Sequence, residues 1–257
     1  SPHAPYCPLS TELVFPGHAE CTCTHDFHVR TVFNPAGTYT GRFSSAEAFY
    51  VPASTNLQNL PAEEAKRDPL FAVRECLVPD SGEVFLYADL SQAEARVSAV
   101  LSEDWDLLSK WSDPKWDVHK WTAAAIFDKP ESSIDDRERF LGKKCRHALN
   151  YGMGPNKFWR TVNDVADLTG IAITMKEAKR IWKAYHDLHP KLDQVWWNRV
   201  QATLEARKPM VASHCGWECP FWPRFDEAGA LDHESLRRGI AWEPQHTVAH
   251  VLNEGLL

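Results

Sequence analysis

Arg139, Lys143, His147 and Tyr151 stand four residues apart, and Gly152 follows them. At 3.6 residues per turn this spacing draws one slowly rotating stripe along a helix, about 18 Å long. Two cations at one end can grip phosphates, and two flat rings at the other can meet a base. A triphosphate lying along the stripe would have its phosphates and base matched in order. The plain alternative is an exposed basic helix with a buried Tyr. Charge patterning bears on the choice. The chain carries a net charge of −7, yet between Arg137 and Arg160 seven Lys or Arg residues face one acid, Glu138. A basic stripe inside an acidic chain suits a phosphate-bearing partner, although a charge run is often only a solvated face.

The 257 residues, 44% of them hydrophobic, can build one large domain or two small ones. No run approaches the ~20 apolar residues that span a bilayer, and the N-terminus lacks a signal-peptide pattern. No membrane partner is expected. Seven scattered cysteines, an odd number, point to a reducing compartment, here the cytoplasm.

Residues 1–27 are rich in Pro, Cys, His and Thr without periodicity and read as irregular. From His28 to Ser45, alternating β-branched and aromatic residues around Asn34-Pro35-Ala36-Gly37 predict a hairpin. Residues 46–82 read as mostly irregular. Glu83 to Ala88 is a short apolar run that predicts a buried strand. The helix after it should turn Ala93, Val97, Val100 and Leu101 to one face. Further helices are predicted over Asp117–Phe127, Asp135–Tyr151, Met175–Leu188, Lys191–Arg207 and Leu231–Leu257. The second should start with a capping box of Ser133 and Asp136, the third with Thr174 as N-cap, and the last should break near Pro244. Pro and Gly break residues 209–226 into short strands or turns. The helical middle is expected to rise from a small sheet formed by earlier and later segments.

Two further constellations carry chemistry. In Asp89-Leu90-Ser91-Gln92-Ala93-Glu94-Ala95-Arg96 an acid closes the predicted strand, a rigid place to hold a carboxylate against a divalent cation. The plain reading is a turn residue, Asp89, before a capping box of Ser91 and Glu94. The other is Thr38-x-Thr40-Gly41-Arg42-x-Ser44-Ser45 followed by Asn56-Leu57-Gln58-Asn59-Leu60-Pro61. Short polar side chains, an Arg and a Gly in a loop can position a phosphodiester backbone, but ordinary loop chemistry explains the composition equally well.

Taken in order, these segments, with Asp117-Val118-His119 and a worn Gln245-His246-Thr247-Val248-Ala249, resemble the motifs of family A DNA polymerases, the DNA polymerase I type. The resemblance runs from about His28 to Leu257. It implies an α/β (α+β) fold of right-hand polymerase architecture, with a partial antiparallel palm sheet and a large helical fingers insertion. Residues 28–102 would be the first part of the palm, 103–212 the fingers, and 213–257 the return to the palm; residues 1–27 would be a remnant upstream. The implied activity is template-directed DNA synthesis, nucleotidyl transfer from a dNTP to a primer 3′-hydroxyl by a two-metal mechanism using Mg2+. Primer–template DNA and dNTPs are the implied partners, and a monomer is expected. The compact motif style is that of a phage or other viral replication polymerase.

Residue by residue, the resemblance makes Asp89 the first metal-binding carboxylate, with the Leu90 carbonyl as a further ligand. Gln92 and His119 would touch the incoming phosphates, and Glu94 would be the steric gate against a ribose 2′-hydroxyl. Arg139 and Lys143 would grip phosphates, with Lys143 the proton donor to pyrophosphate. His147 would lie under the sugar and base, where family members often carry Phe or Tyr. Tyr151 would occupy the template-base site. Arg42, Asn56, Gln58, Asn59, Arg96, Tyr151, Gly152, Arg237 and Gln245 would line primer and template.

Some departures stand out. The Gly and Asp of the family's Gln-Gly-Thr-Ala-Ala-Asp segment are His246 and His250, and its Arg-rich turn reads Gly216-Trp217-Glu218-Cys219. No His-Asp-Glu motif, carrier of the family's second essential carboxylate, follows Gln245 up to Leu257. The alternative function is therefore a chain that binds nucleotide or primer–template without turnover. His18, Cys21, Cys23, His25 and His28 crowd together, but without the Cys-x2–4-Cys spacing of closed zinc sites. His246 and His250 lie one helical turn apart with Glu254 following, a spacing that could hold a metal; an ordinary helix face is the simpler reading. Trp182, Trp196 and Trp197 have helical spacing and read as core.

Overall fold

The computed structural model describes residues 30–35, 37–46, 56–60 and 73–255, in two compact units. The irregular stretch expected at 1–27 and the His18–His28 cluster lie outside the described residues.

In the first unit, which takes in residues 43–87, the predicted hairpin forms: β1 (Val32–Asn34) pairs antiparallel with β2 (Ser44–Ala46). Asn56 caps a 3-10 turn over Leu57–Asn59, and the turn is tied to β2 where Gln58 Oε1 accepts from the Ser45 N–H at 2.8 Å. The predicted strand at Glu83–Ala88 does not form; the run has no regular secondary structure and is exposed. A strand needs a second segment to take its backbone hydrogen bonds, and among the described residues none does.

The second unit, residues 39–42 and 88–257, is helical. Its elements are α1 (Ala93–Leu101), α2 (Trp105–Ser109), α3 (Val118–Phe127), α4 (Asp136–Leu149), α5 (Pro155–Asn163), α6 (Ala166–Thr169), α7 (Met175–Leu188), α8 (Asn198–Glu205), β3 (Met210–Val211) paired antiparallel with β4 (Glu218–Cys219), and α9 (His233–Gly255). Thr174 caps α7 as expected, with a full capping box through Glu177, and Asp117 caps α3. In α4 the box is Asp135 with Glu138, two residues later than expected, because Glu138 reaches back to the Asp135 N–H while Asp135 accepts from the Glu138 N–H. A π-helical run over Leu192–Trp197 leads into α8. On α1 the buried residues are Ala95, Ser98, Ala99 and Leu101; Val100, expected on the packed face, is exposed.

Pro244 does not interrupt α9. The proline removes the bond to the carbonyl four residues earlier, a cost of about 3 kcal/mol in a helix interior. Packing holds the helix across it: Trp242, Glu243 and Pro244 are buried, and Trp242 Nε1 donates to the Tyr39 carbonyl at 3.1 Å. The main core gathers Leu141, Cys145 and Leu149 of α4 with Phe158, Ile181, Tyr185, Trp196, Val200, Leu204 and Trp242. Trp196 is fully enclosed, and Trp182 and Trp197 pack against the core, as their spacing predicts.

Two close approaches set the site's walls. A Cβ added to Gly142 on α4 would lie 2.3 Å from the His119 carbonyl on α3, so only glycine lets these helices cross so tightly. Past the end of α4, Gly152 turns the chain with φ +71°, a left-handed conformation that costs an L side chain about 1–2 kcal/mol.

Candidate functional site

The α3–α4 crossing brings His119 beside the basic stripe, their rings 6.1 Å apart at His147. With the segment Ala88–Ala95 and Val248 and Leu252 of α9, the two helices enclose a cavity of about 480 Å3. Nine residues singled out in the sequence line it: Asp89, Leu90, Gln92, Glu94, His119, Arg139, Lys143, His147 and Tyr151. The stripe thus faces one space, and the acid-bearing segment lies in the same wall system.

Glu94 is the electrostatic hub. Its carboxylate accepts from the Tyr151 hydroxyl at 2.8 Å and from the Arg42 guanidinium, and His147 Nδ1 lies 3.8 Å away. Burial alone would raise its pKa, but the nearby His147 imidazole, the hydrogen bond from Tyr151 and the Arg42 charge outweigh burial and hold it at about 2. Tyr151 answers in kind: burial first, then the Glu94 charge, drive its pKa well above the usual phenol range. The capping role read for Ser91 and Glu94 is absent. Gln92 caps α1 in the left-handed conformation, φ 55°, with no side-chain cap bond. Its Oε1 instead accepts from Trp111 Nε1 at 3.0 Å and from the Val118 N–H at 3.3 Å, tying the start of α1 to the start of α3.

Arg139 Nε donates to Asp117 Oδ2 at 2.6 Å. The other oxygen of Asp117 caps α3, accepting from the His119 N–H at 2.8 Å. Lys143 is exposed in the cavity wall and makes no ion pair among the described residues. His119 is buried, and burial first, then the Arg139 and His147 charges, lower its pKa to about 4 despite Asp117. At neutral pH its ring is therefore uncharged. Its Nδ1 is buried without a partner.

Arg146, one of the seven basic residues between Arg137 and Arg160, also lines this cavity. It sits seven residues after Arg139, the same helical face. Its Nη1 donates to the Tyr185 hydroxyl and to His189 Nε2, both at 3.3 Å, while Nε and Nη2 have no partner. Tyr185 in turn donates to Asn150 Oδ1 at 2.5 Å. The other residue that the sequence reading assigned no role is Asp117, whose carboxylate holds Arg139; the Asp117–His119 spacing carried that signal.

The remaining candidates fall elsewhere. Gly152 packs on Arg237, which pairs with Glu234 along a neighbouring groove that Tyr151 and His147 also line. Arg96 lies over the Trp111 ring at 5.1 Å, outside the cavity, and Gln245 is half-buried on α9. Asn56, Gln58 and Asn59 form the capped turn of the first unit.

No helix of the structure is long and apolar enough to cross a membrane among the described residues. Comparison with known proteins finds DNA polymerase I relatives. The chain is 31% identical to DNA polymerase I of Caldicellulosiruptor bescii over 173 residues, 67% of this chain and 18% of that protein. It is 28% identical to the Helicobacter pylori DNA polymerase I over 236 residues, 90% of this chain and 23% of that protein. The chain thus spans about a fifth of the length of these relatives. A solved structure described as the POL domain of Pol1 from M. smegmatis, in complex with DNA primer-template and dNTP, matches 86% of this chain and 35% of that one, with a TM-score of 0.64 and 23% identity. That match carries the fold: helices with small antiparallel sheets in the arrangement of a family A polymerase domain. The model of DNA polymerase family A matches residues 14–227, and with motifs, fold and relatives in agreement the chain belongs to that family.

Proposed function

We propose that this chain supplies the nucleotide site for template-directed DNA synthesis, transferring a nucleotidyl group from a dNTP to a primer 3′-hydroxyl. The observation that carries the reading is the convergence of Asp89, Glu94, His119, Arg139, Lys143, His147 and Tyr151 on one cavity. Arg139 and Lys143 grip the triphosphate, and Lys143 also offers a proton to the departing pyrophosphate. His147 stacks under sugar and base. Glu94, ionised and held by three neighbours, fills the space beside the sugar 2′ position and rejects a ribose. Gln92 and the neutral His119 direct hydrogen bonds at phosphate oxygens. Arg42, Arg96, Gly152, Arg237 and Gln245, with the Asn56–Asn59 turn, steady primer and template; Tyr151 holds the template-base position. The relatives' names as DNA polymerases and the primer-template and dNTP in the related complex support these partners. A monomer acting in the cytoplasm suffices for this chemistry.

Asp89 and the Leu90 carbonyl fit Mg2+ that arrives with the triphosphate, because Mg2+ is usually held by one or two carboxylates plus substrate phosphates. Two such ions, when bound, would lower the pKa of the 3′-hydroxyl and neutralise the charge leaving on pyrophosphate. A second reading, binding without turnover, is favoured by one observation: of the two carboxylates lining the cavity, Glu94 is already engaged, leaving Asp89. Primer extension with dNTP and Mg2+ decides. Synthesis that Asp89→Ala abolishes supports the first reading. Saturable dNTP binding without extension supports the second, and neither binding nor extension overturns both.

A further inference from the structure

A second cluster lies away from the cavity. His214 and Cys215 stand on the turn between β3 and β4, and His250 on α9; the ligating atoms all lie within 4.8 Å of one another. Among the described residues no other group of three His, Cys, Asp or Glu side chains comes together in this way. We propose that His214, Cys215 and His250 bind one Zn2+ that clamps the β3–β4 hairpin to the last helix. His2Cys is a donor set suited to this borderline-soft ion, with a fourth tetrahedral position open to water.

The surroundings prepare both histidines for the role. Thr247 Oγ1 gives its proton to the Glu243 carbonyl at 2.8 Å, so toward His214 it can only accept, and His214 Nδ1 lies 3.1 Å from it. That fixes the proton on Nδ1 and leaves the Nε2 lone pair for metal. His250 Nε2 sits 3.1 Å from Glu254 Oε1, which leaves Nδ1 as the ligand. Each ring therefore has its second nitrogen committed to an acceptor, the arrangement that orients histidines on zinc. The hairpin itself is anchored. Buried Glu243 accepts from the Ser213 N–H at 2.8 Å, from the Ser213 hydroxyl, and from Arg199 at 3.1 Å.

His246 completes the cluster. It is buried, stacked on Trp242, and its ring lies 5.8 Å from that of His214 and 6.1 Å from that of His250. Its Nδ1 points to the Thr40 carbonyl at 3.2 Å, and its Nε2 is buried with no partner. An orphaned lone pair beside three ligands suits the proton of a metal-bound water. His246 and His250 are also the residues that replace the Gly and Asp of the family's segment.

The test is a Co2+ titration of the metal-free protein, followed by Zn2+. The expected result is one equivalent of Co2+ bound, with a thiolate-to-cobalt charge-transfer band, displaced by Zn2+, and a rise in Tm with Zn2+. Cys215→Ser should remove the charge-transfer band and His250→Ala the stoichiometric binding, while Cys215→Ser, at an exposed position, keeps the parent Tm in chelator. Glu254→Gln should weaken binding about 10–100-fold, as loss of a ligand's supporting partner does. A thiolate band that survives Cys215→Ser would put the metal elsewhere, such as among His18–His28, and overturn the proposal. So would the absence of any Zn2+-dependent shift in Tm.

Discussion

The stripe helix α4 and the segment Glu83–Ser91 are both short and both flank chemistry-bearing residues, yet one folds as its sequence predicts and the other does not. In α4 the hydrogen-bond partners lie inside the helix, its capping box is three residues across, and Leu141, Cys145 and Leu149 bury one face. In the other segment Val84, Phe85, Leu86 and Tyr87 remain 77, 66, 94 and 91% exposed, and no strand forms. The difference is one of where the partner lies. A helix writes its own hydrogen bonds into its sequence, whereas an apolar run becomes a strand only when another segment offers an edge. Candidate residues on α4 therefore have a helical geometry, while Asp89 and Leu90 sit in a stretch tied at its ends, where the Leu90 carbonyl accepts from the Ala93 N–H and the Glu83 N–H donates to the Asp80 carbonyl.

The largest effect should fall on the helical side. Charge builds on the leaving pyrophosphate as the bond breaks, so Lys143→Ala should lower kcat by ~10²–10³, the range for one lost electrostatic donor. Lys144, which lies over the Phe140 ring at 5.2 Å and outside the cavity, should be replaceable by Ala without that loss. Equal damage from both, in steady-state kinetics of polymerase activity, would break the helical register on which the comparison rests. Gly142→Ala comes next: a methyl 2.3 Å from the His119 carbonyl should cost about 1–3 kcal/mol in urea unfolding, as overpacking does. A neutral result would mean the α3–α4 crossing is looser than its contacts.

Acid should act in two stages. His119 and His189 have folded-state pKa values depressed by burial from 6.5 to about 4, so the unfolded chain binds more protons and stability falls as pH drops between those values. Glu94, depressed to about 2 from 4.5, extends the loss to lower pH. Tm measured from pH 7 to 3 should therefore decline throughout, and a Glu94→Gln variant should flatten the lower stage. The smallest effect belongs to the exposed run. Leu86→Ser should change stability by no more than about 0.5 kcal/mol, as surface substitutions do. A loss above about 2 kcal/mol would show that this run is buried after all.

Much of the site was legible because it is helical: the four-residue spacing put Arg139, Lys143, His147 and Tyr151 on one cavity. Thr174 announced its helix for the same local reason. What stayed hidden depends on distance in sequence. Nothing local tells that Glu94 takes Arg42 and Tyr151 as partners, 52 and 57 residues away, rather than capping its own helix. Nor does a helical pattern reveal that burial of Trp242 and Glu243 carries α9 through Pro244. The gathering of His214 and Cys215 with His250 is equally a product of the fold, since a hairpin turn and a helix supply them separately.

Asp117 has a consequence for how an anion could enter. Its two oxygens serve two customers, the α3 backbone and the Arg139 guanidinium. A phosphate drawing Arg139 away would compete with a carboxylate that still keeps its backbone donors, so the exchange strands no bare charge. Under the proposed reading, a singly charged anion would offer Arg139 little more than Asp117 does, whereas a polyphosphate would offer more. A ligand recruiting Arg139, which already stands in the cavity wall, would displace a carboxylate rather than water alone.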